Sequence, residues 1–334
     1  MRTKITYEQH FPYEISAICK ANYTEQTYYI ATFSKAGRIG ILNEKFVPSH
    51  IFEPQGITDI QSVAIHPRLP FFVVAGSNTI SMYDLNRNLI EEYKGDIVAA
   101  LYSSDGDFLW CIEKNSQEQF TITVHNAKNL SQILAKKICK DELYDSSFSI
   151  GLLPETNKIH ICQTAGQDGS LIVFAEFTGK DIVLTYPDSL NQNAEAVFPI
   201  WGENKYEFLL QQNDTGIFKY EYPSYKLLQK YLFPENMEYV GYHHTYLNNE
   251  KAIIQYDEQF WVLDLSSMQI KAPFYIIGHE PKETKHFYPS LADDTSMMTD
   301  IYYLERFDNT LIGFAGIKKN YSIFLIELTT CLED

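Results

Sequence analysis

Residues 60–93 read IQSVAIHPRLPFFVVAGSNTISMYDLNRNLIEEY. Four apolar runs stand out: SVAI (62–65), FFVVA (71–75), TISMYD (79–84) and LIEEY (89–93). The separators HPRLP, GSN and LNRN supply the Pro, Gly and Asn that tight turns require. Each run has the length and the β-branched or aromatic content of a strand, and helical periodicity is missing. The stretch is therefore one four-stranded antiparallel unit.

The same unit recurs along the chain. It begins with ISAIC, TYYIATF and RIGIL near Ile15, continues through IVAALY/FLWCIE/FTITVH and SFSIGL/KIHICQ/SLIVFA, and ends with DIYYLE/TLIGFAG/SIFLIEL. Corresponding third strands end at Asn43, Asp84, Asn126, Glu176, Glu221, Asp264 and Glu327, with gaps of 41, 42, 50, 45, 43 and 63. A strand repeat of this period predicts an all-β, seven-bladed β-propeller, a single domain over residues 1–334. Its blades span 15–52, 60–93, 97–138, 147–186, 195–233, 239–276 and 299–328, with an inserted loop at 277–298 that lengthens the last gap. The seventh unit lacks a fourth strand, and TKITYE (3–8) has no place in the first. The N-terminal strand 3–8 is therefore expected to close the last blade, which removes two free edges. LSQILAKKICK (130–140) fits either an outer strand or a helix.

Forty-three acidic residues face 27 basic ones, a formal net charge of -16. Such a chain repels a phosphate backbone, and the nearest thing to a basic patch is Lys318-Lys319, so neither nucleic acid nor an anionic membrane is an expected partner. The acidity serves solubility or attracts a basic partner. Cys19, Cys111, Cys139, Cys162 and Cys331 are odd in number and irregularly spaced, which fits free thiols in a reducing compartment. No apolar leader and no run of membrane-spanning length is present, so a cytoplasmic location is expected.

Ala64-Ile-His-Pro67 and the run YSSDGDFL (102–109) resemble the strand-turn-strand of WD-repeat β-propellers, and Tyr83-Asp84 and Leu263-Asp264 stand where such repeats end a third strand in Trp-Asp. The resemblance covers most of the chain and implies a propeller with a binding role. No unit has the Gly-His pair or Trp-Asp itself, so the family's internal Asp-His-Ser/Thr-Trp network does not carry over.

Local chemistry is sparse. His243 and His244 are adjacent on a strand and point to opposite faces, which suits packing better than a shared metal. The insertion 277–298 offers His279, Glu280, Glu283, His286, Asp293 and Asp294. It reads as a binding loop or as an inert excursion, and its spacings match no common zinc pattern. Asp105-Gly-Asp107 reads as a hairpin turn. Nucleophile elbows, Walker loops and dinucleotide fingerprints are absent. No catalytic residue, metal ligand or cofactor is assigned. Glu195, His243 and Asp300 are candidates for the channel mouth.

Charge distribution says more. The interblade segments 9–14, 53–59, 94–96, 139–146, 187–194, 234–238 and 277–298 together carry -10, and the loops between first and second strands carry -4. The expected function is a non-catalytic protein-binding scaffold whose acidic face holds a basic protein or peptide, in a narrower form an inhibitor or immunity-type protein. Its contact residues are Glu53, Asp59, Asp141, Glu142, Asp145, Glu235, Glu238, His279, Glu280 and His286. The rival is an enzyme or a ligand- or metal-binding propeller that uses its central channel.

Overall fold

The computed structural model describes residues 1–114, 119–139, 147–164, 170–190, 199–202, 204–212, 215–233, 240–256, 259–285, 295–298, 300–317 and 320–328. The chain forms two compact units, Tyr13–Phe198 and Met1–Pro12 with Pro199–Asp334.

The first unit holds four antiparallel four-stranded blades in chain order. Blade 1 comprises Ala17–Tyr23, Gln26–Phe33, Arg38–Leu42 and Pro48–Phe52. Blade 2 comprises Ile60–Ile65, Phe71–Gly76, Thr79–Asp84 and Leu89–Lys94. Blade 3 comprises Asp96–Tyr102, Phe108–Lys114, Phe120–Asn126 and Asn129–Ile138. Blade 4 comprises Ser147–Leu152, Lys158–Thr164, Ser170–Phe177 and Ile182–Thr185. Residues 130–138 of the segment 130–140 thus form the outer strand, and Lys140 lies outside the described residues.

The near-continuous apolar runs of the middle strands have a direct cause. Successive side chains of a strand point to opposite faces, and here both faces are covered. Phe72 and Val74 enter a core shared with Ile30, Ile39 and Ile41 of blade 1. Val73 and Ala75, from the alternate face, enter a second core with Leu109 and Cys111 of blade 3. Trp110, Ile122 and Val124 then meet Ile159 and Val173 of blade 4. Each fully buried branched or aromatic side chain contributes about 2 kcal/mol of transfer free energy.

The second unit holds three blades. Blade 5 comprises Ile200–Trp201, Glu207–Gln212, Gly216–Glu221 and Leu227–Leu232. Blade 6 comprises Val240–Tyr246, Lys251–Tyr256, Gln259–Asp264 and Gln269–Ile276. Blade 7 comprises Ile301–Phe307, Thr310–Ile317, Asn320–Glu327 and, as its outer strand, Tyr7–Phe11.

The N-terminal strand closes the last blade, four residues later than 3–8. Tyr7 pairs with Leu325 and Phe11 with Tyr321, antiparallel. Arg2–Thr3 instead lies parallel against blade 6, with Thr3 opposite Ile276. Met1 and Ile5 pack on the core between blades 6 and 7, which anchors the crossing between the two edges.

The insertion is more ordered than a plain loop. Lys282–Lys285 and Thr295–Met298 pair as an antiparallel hairpin, and residues 286–294 lie outside the described residues.

Four of the seven residues that end the third strands share one job. Asn43 Oδ1 accepts the N–H of Lys45 and Val47, and Asp84 Oδ1 those of Asn86 and Asn88. Asn126 Oδ1 accepts Lys128 N–H, and Asp264 Oδ1 accepts Ser266 and Ser267 N–H. Each closes the turn into the outer strand as an Asx cap. The positions that resemble Trp-Asp therefore act locally.

Candidate interaction surface

The interblade connections and the second-to-third-strand turns occupy one end of every blade. In blade 1 this end is charged and partly paired. Glu53 Oε1 lies 3.2 Å from Arg38 Nη2, while Arg38 Nη1 donates to the Tyr13 hydroxyl at 2.6 Å with its guanidinium 5.0 Å from that ring's centre. Lys35 reaches Glu14 at 2.7 Å. Asp59 is exposed and accepts from the Gln61 amide and, at 3.4 Å, from the Ser77 hydroxyl. Along blades 2 and 3, Glu92 contacts Lys94 and Glu113 lies 3.2 Å from Lys136. The Glu53–Arg38 pair is exposed enough to contribute little stability, so its charges remain available to a partner, whereas Glu113 is largely covered.

The densest cluster on the corresponding end of the other unit is built around His279. This residue follows the outer strand of blade 6. Its Nδ1 lies 3.0 Å from both Asp300 carboxylate oxygens and its Nε2 lies 3.3 Å from Glu8 Oε1. The imidazole stacks on Phe324 at 5.4 Å and 22°. Hydrogen bonding to Asp300 raises the His279 pKa against the opposing effect of burial, with Glu8 adding to the rise. Beside it, the Glu280 carboxylate accepts the Gly278 N–H at 3.0 Å, and backbone N–H groups hold it below the usual carboxylate range.

Among the expected contact residues, His279 and Glu280 fall together, and Asp300 joins them. Glu53 and Asp59 belong to the other unit. Asp141, Glu142, Asp145, Glu235, Glu238 and His286 lie outside the described residues, as do Glu195, Glu283's side chain, Asp293, Asp294 and the side chain of His243. Glu8 is the member that sequence reading missed. It appeared only as part of a closing strand, and nothing in TKITYE marks it as the partner of a histidine 271 residues away.

The two carboxylates address opposite nitrogens of His279, so they do not converge on a common point. Among the described residues no group of three or more His, Cys, Asp or Glu is placed to hold a metal ion. His244 is buried. Asp105 accepts from the Ser103 hydroxyl and from Asp107 N–H around Gly106, whose φ of 71° is the left-handed conformation of a hairpin turn. Asp107 pairs with Arg68 at 2.8 Å. At this opposite end, between blades 1 and 2, a groove of about 510 Å³ is lined by Tyr23, Tyr28, Pro67, Arg68, Pro70 and Leu85 among others. His66 ties the region together. Its Nδ1 accepts the N–H of Arg68 and Leu69, and its Nε2 donates to Gly106 O at 2.9 Å, which fixes the tautomer.

No helix among the described residues is long and apolar enough to cross a membrane. No family model and no curated protein matches this chain. Among solved structures it is similar to the β-propeller domain of Cps50 (Swd1) from Myceliophteria thermophila, at 9% identity and a TM-score of 0.62, over 96% of this chain and 98% of that one. The fold is a seven-bladed β-propeller, with the last blade closed by the N-terminal strand.

Proposed function

We propose that this chain is a non-catalytic scaffold that binds a basic protein or peptide on the interblade ends of its blades, and that its repeats are degenerate relatives of WD repeats. The carrying observation is the asymmetry of charge between the two ends of the strands. Counting the second-to-third-strand turns (34–37, 77–78, 115–119, 165–169, 213–215, 257–258 and 318–319) brings the interblade end to -12. Counting the third-to-fourth-strand turns (43–47, 85–88, 127–128, 178–181, 222–226 and 265–268) brings the opposite end to -1. Solubility alone calls for charge on both ends. A field concentrated on one end steers a cationic partner to that end and speeds encounter. An inhibitor that masks a basic toxin or nuclease is the narrower form of this reading.

The test is a triple reversal, Glu53→Lys, Asp59→Lys and Glu280→Lys, at exposed positions in the two units. Immobilised wild-type protein and the triple variant are exposed to native lysate, and captured proteins are quantified across a salt series. The expected wild-type set is basic, elutes with rising salt and is depleted on the variant. An identical, salt-insensitive set on both proteins overturns the proposal.

A further inference from the structure

The groove of about 510 Å³ between blades 1 and 2 lies at the end of the strands away from the acidic segments, where the loops sum to -1 against -12. One wall is aromatic. The rings of Tyr23 and Tyr28 stand 5.8 Å apart at 37°, and the Tyr23 hydroxyl donates to His66 O, which ties the two blades together. The other wall is the loop 66–71, which presents Pro67 and Pro70. Asn22, Thr24, Arg68 and Pro70 are exposed, so the groove is a shallow open trough. A small ligand needs enclosure over most of its surface, and an extended chain segment does not.

Every backbone N–H of the loop wall is used or missing. His66 N–H donates to Phe71 O, Arg68 and Leu69 N–H donate to His66 Nδ1, Phe71 N–H donates to Leu69 O, and Pro67 and Pro70 have none. Two of the wall's carbonyls, His66 O and Leu69 O, are engaged as well, by the Tyr23 hydroxyl and Phe71 N–H. An added β-strand therefore finds no ladder donors there. Two side chains supply donors instead. Thr27 Oγ1 donates to Asn22 Oδ1 at 2.8 Å, which leaves the amide N–H groups of Asn22 without an acceptor among the described residues. The Arg68 guanidinium lies 2.8 Å from Asp107, and both side chains are more than half exposed, so this pair holds weakly and exchanges readily for another carboxylate.

We propose that this groove docks a proline-rich, acidic segment of a partner protein in the polyproline II conformation. Three residues make one turn of that helix, so every third side chain lies on one ridge. Prolines at two of the three positions lay their rings on Tyr23, Tyr28, Pro67 and Pro70, and an acidic residue at the third meets Arg68. The outward carbonyls of the segment accept from the Asn22 amide. Its prolines bring no N–H, so burying them leaves no backbone donor unpaired on a wall short of acceptors. A second copy of this chain cannot supply the segment. Apart from Pro67 and Pro70, which are the wall itself, its 13 prolines lie at least six residues apart, Pro48 and Pro54 being the nearest pair.

The probe is a fluorescein-labelled peptide of three Pro-Pro-Glu repeats, titrated by fluorescence anisotropy, with Pro-Pro-Gln and Gly-Ser-Glu peptides of equal length as controls. The Pro-Pro-Glu peptide should bind saturably, and both controls about tenfold or more weakly. The net charge of -16 repels an acidic peptide over the rest of the surface, so a preference for Glu over Gln runs against the bulk charge and reports a local cation. Arg68→Glu and Asn22→Asp, both at exposed side chains, should each weaken binding by about tenfold or more while melting as wild type does. Asn22→Asp keeps the acceptor for Thr27 and removes the donors. The comparison of peptides on wild-type protein holds whether or not the variants fold. The proposal is overturned if the Pro-Pro-Glu peptide does not bind by about 1 mM, if either control binds as tightly, or if either substitution leaves its affinity unchanged. Sedimentation showing a dimer that Arg68→Glu dissociates would assign the groove to a second copy and overturn it equally.

Discussion

His279 Nδ1 sits 3.0 Å from both carboxylate oxygens of Asp300, and its other nitrogen faces Glu8 on the strand that closes blade 7. The imidazole therefore joins the blade 6–7 connection, the start of blade 7 and the N-terminal strand, and its carboxylate partners favour its charged form. Glu280, itself near Arg2, adds negative potential at His279, and His10 lies 4.0 Å from Glu8. Because the folded pKa is raised above the unfolded value of 6.5, the contribution is complete below pH 6.5 and disappears as pH rises through the folded pKa. His279→Gln should destabilise the protein by about 1 kcal/mol at pH 6 and by much less at pH 9. Urea unfolding of both proteins at the two pH values checks this. An equal loss at both would mean that packing on Phe324, not charge, holds the histidine.

The opposite sign holds at His160. This side chain is fully enclosed in blade 4, where it covers Gly151 on the neighbouring strand, and burial pushes its pKa down to about 3. The unfolded chain binds a proton near pH 6.5 that the folded chain refuses. Stability from this site is complete above pH 6.5 and drains away as pH falls toward 3, by about 1.4 kcal/mol per pH unit. His160→Phe should flatten the acid limb of the stability profile, even if it costs stability at neutral pH. Gly151→Ala should lower the melting temperature steeply, since a Cβ there overlaps the imidazole ring.

Asp84 tests the turn caps. Its Oδ1 accepts Asn86 N–H at 2.9 Å and Asn88 N–H at 2.8 Å. Asp84→Ala should cost about 1–2 kcal/mol by leaving both donors to water, and Asp84→Asn should recover most of it because one acceptor oxygen remains. Thermal melts of the two variants separate the cap from the charge. If the Asn variant were as unstable as the Ala variant, the cap account would fail.

Those caps explain why the repeat could be read. Asn43, Asp84, Asn126 and Asp264 recur because the outer strands of blades 1, 2, 3 and 6 are entered by the same capped turn, and a short-range need leaves a short-range mark. Phe72, Val73 and Val74 were equally readable, since a middle strand covered on both faces must be apolar throughout. What stayed hidden depends on partners distant in the chain. Thr3 and Tyr7 are both strand formers, and only Met1 and Ile5 packing between blades decides that one joins blade 6 and the other blade 7. Glu8 became part of the His279 cluster by the same crossing. The hairpin Lys282–Lys285 with Thr295–Met298 lacks the apolar alternation that marks a strand, because backbone pairing defines it.

The cysteines give a chemical test of the cores. Cys111 is wholly enclosed between blades 2 and 3, and burial pushes its thiol pKa well up. Cys19 is only partly covered, yet desolvation pushes its pKa up to about 12, and its Sγ points to Ile30 O at 3.8 Å. The thiolate, not the thiol, is the nucleophile, and the rise in pKa outweighs the gain in intrinsic nucleophilicity. With iodoacetamide at pH 8, Cys19 should react about a hundredfold more slowly than a free thiol, and Cys111 and Cys162 should react only through unfolding. Peptide mass spectrometry of native and guanidinium-treated samples measures all three. Guanidinium should bring every rate to that of a model thiol. Rapid native labelling of Cys19 would show that its partial exposure, rather than its desolvated environment, sets its reactivity.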